Sequence, residues 1–308
     1  GYGAARGGRD YEDSDISDAE LHNVYFPPFK AAIDAGAKNI MSAYMDLNGV
    51  PASGNRWLLT EMLRDELGFD GFVVSDANAV RSLETQHFAR DLTDAGARAV
   101  HAGLDMEMAM VDAAYTRLPQ AVAEGLVDEA TIDLAVRRVL TAKFTAGLFE
   151  QPFVDEAATA TVLGDASHRD AAQAAAERTA VLLKNDGALP LRAPASIAVL
   201  GDLADSQRDI LGPWIFDFDL SESVTILDGI RRRAGGGTRV EYAPATACAT
   251  RVYPSMFDSH ESGTLPQTPE GFDEDAELER AVALAAESEV AVVVVGQPQN
   301  MIGEKASV

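Results

Sequence analysis

At 308 residues, with 47% hydrophobic and 24% charged side chains, the chain can bury a large core and has room for two domains or one barrel with an appendage, which excludes disordered and coiled-coil classes. Lys and Arg total 25 against 49 Asp and Glu, and the resulting net charge of -24 excludes a phosphate-backbone binder, which needs cationic patches. The single cysteine, Cys248, excludes an internal disulfide or a Cys-based metal cluster, and no apolar run reaches the roughly 20 residues of a membrane helix.

Residues 1–15 read as an irregular loop. Ser17 with Glu20 forms a capping box, after which Leu21, Val24, Tyr25 and Phe29 fall at helical spacing, interrupted by Pro27 and Pro28, toward an end near Gly36. Residues 39–44 suit a strand, 45–55 a loop, and 57–67 an amphipathic helix. The next stretch, 68–76, runs through Phe72, Val73 and Val74 into Ser75 and Asp76. An unbroken run of β-formers suits a parallel strand covered on both faces. The C-terminal ends of such strands carry the catalytic groups of (β/α)8 barrels. On position alone, the stronger reading is that Asp76 caps the following helix.

A helix over 89–102, a strand over 103–108 and helices over 118–125 and 128–146 follow, the last opened by Asp128 and closed by Gly147. About three strand–helix units are legible, too few for a closed barrel of eight. Residues 151–164 are a boundary candidate, 167–183 an Ala-rich helix, and 185–190 a turn. A second α/β set then alternates strands at 196–201, 238–243 and 289–296 with helices at 224–234 and 275–288, with a long loop over 246–271.

The five histidines form no metal-ligand pair, and the region after Gly296 lacks the glycine spacing of a nucleotide turn. No cofactor and no metal are expected. Asp76 and Glu304 could act as the two carboxylates of a glycosidase, but with 49 acidic residues a pair alone decides nothing.

The segment Trp57-Leu58-Leu59-Thr60 followed by Gly68-Phe69-Asp70-Gly71-Phe72-Val73-Val74-Ser75-Asp76 resembles the signature of family-three glycoside hydrolases, the β-glucosidase family. Met41-Ser42-Ala43-Tyr44, Gly103-Leu104-Asp105-Met106, Glu177 through Asn185 and Gly303-Glu304-Lys305 extend the resemblance over nearly the whole chain, and Tyr25 through Lys30 is similar to the bacterial periplasmic type. The resemblance implies an α/β chain carrying the C-terminal part of a (β/α)8 barrel (residues 1–158, with the nucleophile), followed by the first part of an α/β sandwich domain (residues 159–308, with the acid/base). Further barrel strands and a Lys-His pair would precede Gly1, so both ends are expected to be missing. It implies Asp76 as nucleophile, Glu304 as acid/base, and Arg9 and Tyr44 in the subsite for the non-reducing sugar. In such a retaining exo-β-glycosidase the two carboxyls lie about 5–5.5 Å apart. Two departures are Ala77, where the family often has Trp, and Gln297, where Glu is frequent.

The expected partner is a β-linked glucoside or short oligosaccharide, with no nucleic acid and no membrane; homo-oligomerisation stays open. The expected location is periplasmic or secreted. The rival readings are a β-xylosidase of the same family and an inactive fragment that only binds sugar or a partner chain.

Overall fold

The computed structural model describes residues 5–9, 11–212, 215, 219–248 and 268–301. The chain is α/β and divides into two compact units, Gly1–Asp165 and Ala166–Val308.

In the first unit Ser17 caps the opening helix as its sequence predicts, its hydroxyl accepting the Glu20 N–H at 3.2 Å. The helix passes without a break from α1 (Asp18–Glu20) through a π-wound stretch (Leu21–Tyr25) into α2 (Phe26–Asp34). Pro27 and Pro28 bring no N–H and sit in the first turn of α2, directly after the wider winding. The π turn puts Leu21 and Phe26, five apart, on the buried face, while Val24, expected inside at α spacing, is exposed. Gly36, with φ +96°, ends the excursion in left-handed backbone.

Strand β1 (Asn39–Ser42) pairs in parallel with β4 (Phe72–Ser75), in a register that sets Asn39 against Phe72 and Ser42 against Ser75. Between them lie a short antiparallel pair, β2 (Asp46–Leu47) with β3 (Val50–Pro51), and a second π-wound helix, Trp57–Glu66. Leu59, Leu63, Phe69, Val73, Val80 and Leu83 pack into one core that holds the inner face of β4.

Three sequence expectations change here. The helix predicted from residue 89 begins at Leu92, as α4 (Leu92–Ala102), because the Asp91 carboxylate accepts the Asp94 N–H and fixes the start. An additional helix, α3 (Ala79–Thr85), follows Asp76. Residues 103–108 form one parallel bridge, Val74 to Met106, in place of a strand. Helices α5 (Leu118–Ala123), α6 (Glu129–Thr145, capped by Asp128) and α7 (Glu156–Leu163) complete the unit.

The second unit opens with the exposed helix α8 (Ala166–Thr179). Its parallel sheet has the order β6-β5-β7, with β5 (Ser196–Leu200) buried at every residue between β6 (Arg239–Ala243) and β7 (Val290–Val293). Helices α9 (Ile226–Ala234) and α10 (Glu274–Glu287) cover it. The apolar run of β7 lies at the sheet edge and leaves Val293 62% exposed. Most of the predicted 246–271 loop lies outside the described residues.

Candidate active site

Asp76 follows the last residue of β4, where the parallel pair ends. Its N–H donates to the Ser42 carbonyl at 3.0 Å, extending the pairing with β1 by one bond. Its Oδ1 accepts the Ala77 N–H at 2.6 Å, which fixes the carboxyl group. The carboxylate does not cap α3, since the N-cap position belongs to Asn78. The side chain is half-buried at the edge of a 380 Å3 cavity that is otherwise mainly apolar, lined also by Tyr25, Ser42, Tyr44, Leu59 and Met62.

Of the residues implicated by sequence, Asp76 and Tyr44 come together on that cavity. The Tyr44 ring stacks on Tyr11 with centroids 4.5 Å apart, and its backbone carbonyl accepts the Gln86 amide at 2.9 Å. Arg9 lies on the exposed surface, where its guanidinium pairs with Glu12 at 3.0 Å; among the described residues no ion pair joins it to Asp76. Glu304 lies outside the described residues. Among the described residues no group of three His, Cys, Asp or Glu side chains could hold a metal ion.

Sequence reading missed the frame around Asp76. Ser75 is fully buried; its Oγ accepts the Met108 N–H at 2.8 Å and donates to the Asp76 carbonyl at 2.8 Å. At the other end of β4, Asp105 Oδ2 accepts the Val73 N–H at 2.9 Å and the Arg64 guanidinium at 2.6 Å, while Arg138 reaches Oδ1 at 2.9 Å. Burial lowers the Arg64 pKa from its ordinary value, and the Asp105 charge works against that fall. Nearby, burial pushes the Tyr115 hydroxyl well above its ordinary value, and it donates to the Leu104 carbonyl at 2.6 Å. The available signal was a charged Asp105 inside an apolar run, since a buried charge requires partners.

Residues 1–142 match the glycosyl hydrolase family 3 N terminal domain, and residues 180–308 match the family's C-terminal domain. The chain belongs to glycosyl hydrolase family 3. This family 3 chain is 38% identical to a periplasmic beta-glucosidase of Salmonella typhimurium over 99% of its length and 40% of that protein. It is 35% identical to a beta-xylosidase of Formosa agariphila, over 99% of this chain and 41% of the relative. Its fold superposes on a beta-glucosidase of Listeria innocua solved in complex with glucose, with a TM-score of 0.82 and 32% identity, covering 100% of this chain and 39% of the other. The chain thus spans about two fifths of the length of these relatives.

Proposed function

We propose that the chain is the nucleophile-bearing part of a retaining exo-β-glycosidase that releases terminal β-D-glucose from β-glucosides or short oligosaccharides. The observation that carries this reading is Asp76 itself, a half-buried carboxylate at the C-terminal end of a parallel strand with one oxygen fixed by Ala77 and a tyrosine on the same cavity. Relatives named β-glucosidase support the substrate class.

In this reading residues 1–158 belong to a (β/α)8 barrel and residues 159–308 to an α/β sandwich. Asp76 attacks the anomeric carbon with its second oxygen while Glu304, as the neutral acid, gives a proton to the leaving oxygen. Water, deprotonated by Glu304, then hydrolyses the glycosyl ester and returns Asp76 as the carboxylate. Tyr44 orients the sugar, and Arg9 contributes to the same subsite after leaving Glu12. A periplasmic or secreted site of action is supported by the name of the Salmonella relative, and among the described residues no helix is long and apolar enough to cross a membrane.

The Formosa relative keeps β-xylosidase activity as the second reading. Parallel assays of the intact protein on aryl β-glucoside and aryl β-xyloside separate the two. A higher kcat/KM on the glucoside, abolished in Asp76→Ala, is the expected result. A higher value on the xyloside rejects the glucosidase assignment, and turnover surviving in Asp76→Ala rejects the nucleophile.

A further inference from the structure

Two residues past Asp76, Asn78 sits in left-handed backbone at φ +58°. That region costs most residues about 1–2 kcal/mol, and Asn is among the few non-glycine types that enter it readily. An Asn just ahead of a helix ordinarily turns its side chain onto the helix's first amides. Here the side chain makes no capping bond to α3. Its Oδ1 instead accepts the Met110 N–H at 2.8 Å and the Val111 N–H at 3.3 Å, while its own backbone N–H donates to the Met108 carbonyl at 2.8 Å.

The amides it captures belong to a loop whose start is tied by the Glu107 carboxylate, which accepts the Ala114 N–H at 3.0 Å and the Tyr115 N–H at 2.7 Å. Residues 107–113 lie outside any helix or strand, and Met108, Met110 and Val111 are all exposed. An ion pair from Arg81 to Asp112 at 2.7 Å also reaches this stretch, but it lies at the surface, where such pairs contribute little. Ser75 grips Met108 from one side of Asp76 and Asn78 grips 108–111 from the other. The Asp76 carbonyl closes the turn between them by accepting the Ala79 N–H at 3.1 Å. The peptide groups flanking the carboxylate are therefore clamped against one segment on both sides.

We propose that Asn78 is a positioning residue for the nucleophile, its side-chain oxygen tying the Asp76 turn to residues 110–111 so that the carboxylate is held in line for attack. This rests on Asp76 being the nucleophile, and the test keeps the two apart. The intact protein and its Asn78→Gly, Asn78→Ala and Asn78→Asp variants are inactivated with an activated fluorinated β-glucoside, and the labelled residue is mapped by peptide mass spectrometry. Inhibition by glucose and amide hydrogen exchange at Met110 and Val111 are measured on the same proteins.

Glycine keeps the left-handed backbone and removes the side-chain bonds, so it separates turn geometry from the clamp. The expected result is a label on Asp76, formed on the order of 10- to 10²-fold more slowly in Asn78→Gly and Asn78→Ala, the loss a small misplacement of a reacting group produces. Exchange at 110 and 111 accelerates in both variants, and glucose inhibition is unchanged. Asn78→Asp, which keeps an acceptor oxygen in place, recovers most of the rate. A label on Asp76 with Asn78→Gly reacting at the wild-type rate, or with unchanged exchange at Met110 and Val111, overturns the clamp. A label on another residue overturns the nucleophile and the clamp with it.

Discussion

Arg64 Nη2 lies 2.6 Å from Asp105 Oδ2 with only 8% and 1% of the two side chains exposed, which makes this pair the most deeply withdrawn ion pair described in the chain. The same Asp105 oxygen accepts the Val73 N–H in the strand that leads to Asp76. Arg64 also donates to the Gly71 carbonyl at 2.9 Å and lies over the Phe69 ring, so one guanidinium holds the entry to β4. Asp105→Asn leaves a buried cation without its counter-charge, and a loss of about 3–5 kcal/mol is expected. Replacing Arg64 and Asp105 together, Arg64→Met with Asp105→Leu, is expected to cost less, because the more deeply buried cation goes with its counter-charge and the cation left behind, Arg138, keeps 22% of its side chain exposed. Urea denaturation of the three proteins checks the order; a single variant as stable as wild type would contradict it.

Gly71 is required by a close approach. A Cβ there would lie 2.3 Å from the Lys38 carbonyl oxygen and 2.7 Å from the Phe69 ring, and Lys38 immediately precedes β1. Neither the backbone carbonyl nor the buried ring can move aside without shifting the register that sets Asn39 against Phe72. Gly71→Ala is expected to destabilise by about 1–3 kcal/mol, the range found for overpacked sites. Gly36→Ala provides the comparison, since a Cβ there meets nothing within 4 Å and the strain is confined to φ. Thermal denaturation of both variants measures the difference.

How much of this was visible beforehand depended on how local each cause was. Strand β4 was legible because three apolar β-formers in a row, bounded by glycine, fit little else, whereas the cap read for Asp76 from its position falls instead to Asn78. The 103–108 stretch has similar composition but makes one bridge, because Asp105 Oδ2 takes the Val73 N–H and Ser75 Oγ takes the Met108 N–H, so side chains stand where ladder bonds would. The π winding ahead of Pro27 moved Val24 to the surface, and a 3.6-residue period cannot anticipate it. The edge placement of β7 depends on sheet order, which an apolar run does not encode. The bonds from Asn78 to residues 110–111 were not legible, since nothing in the sequence brings those amides to it.

The Asp46 carboxyl gives a pH signature. Burial raises its pKa above the ordinary value of 3.8, with the Asp13 charge adding to the rise, and its Oδ1 is buried without a hydrogen-bond partner. Below pH 3.8 the group is protonated whether the chain is folded or not, and it costs nothing. As the pH climbs from there through the raised folded value, the native state holds the proton longer than the unfolded chain, so stability falls with rising pH. Above that value the penalty is constant. Asp46→Asn removes the titration, so it should be the more stable protein at neutral pH, by on the order of 1 kcal/mol. The advantage should vanish near pH 3. Melting temperatures across that range decide it, and a gap that widens toward acid would have the wrong sign.

Asp76 should behave in the opposite way to Asp105. Its carboxylate is half-buried, its Oδ1 accepts the next residue's amide, and it fills no N-cap, so little of the fold depends on it. Asp76→Asn keeps the size and the acceptor oxygen, and a stability change within about 0.5 kcal/mol is expected. The amide is a far weaker nucleophile than the carboxylate, and turnover of an aryl β-glucoside by the intact protein should fall by on the order of 10⁴-fold or more, the scale seen when a catalytic group is removed. Added azide or formate can stand in for a missing carboxylate only where there is room for it, so it should restore turnover in Asp76→Gly and not in Asp76→Asn. An Asp76→Asn protein that loses activity and melting temperature together would return this residue to a structural role at the end of β4.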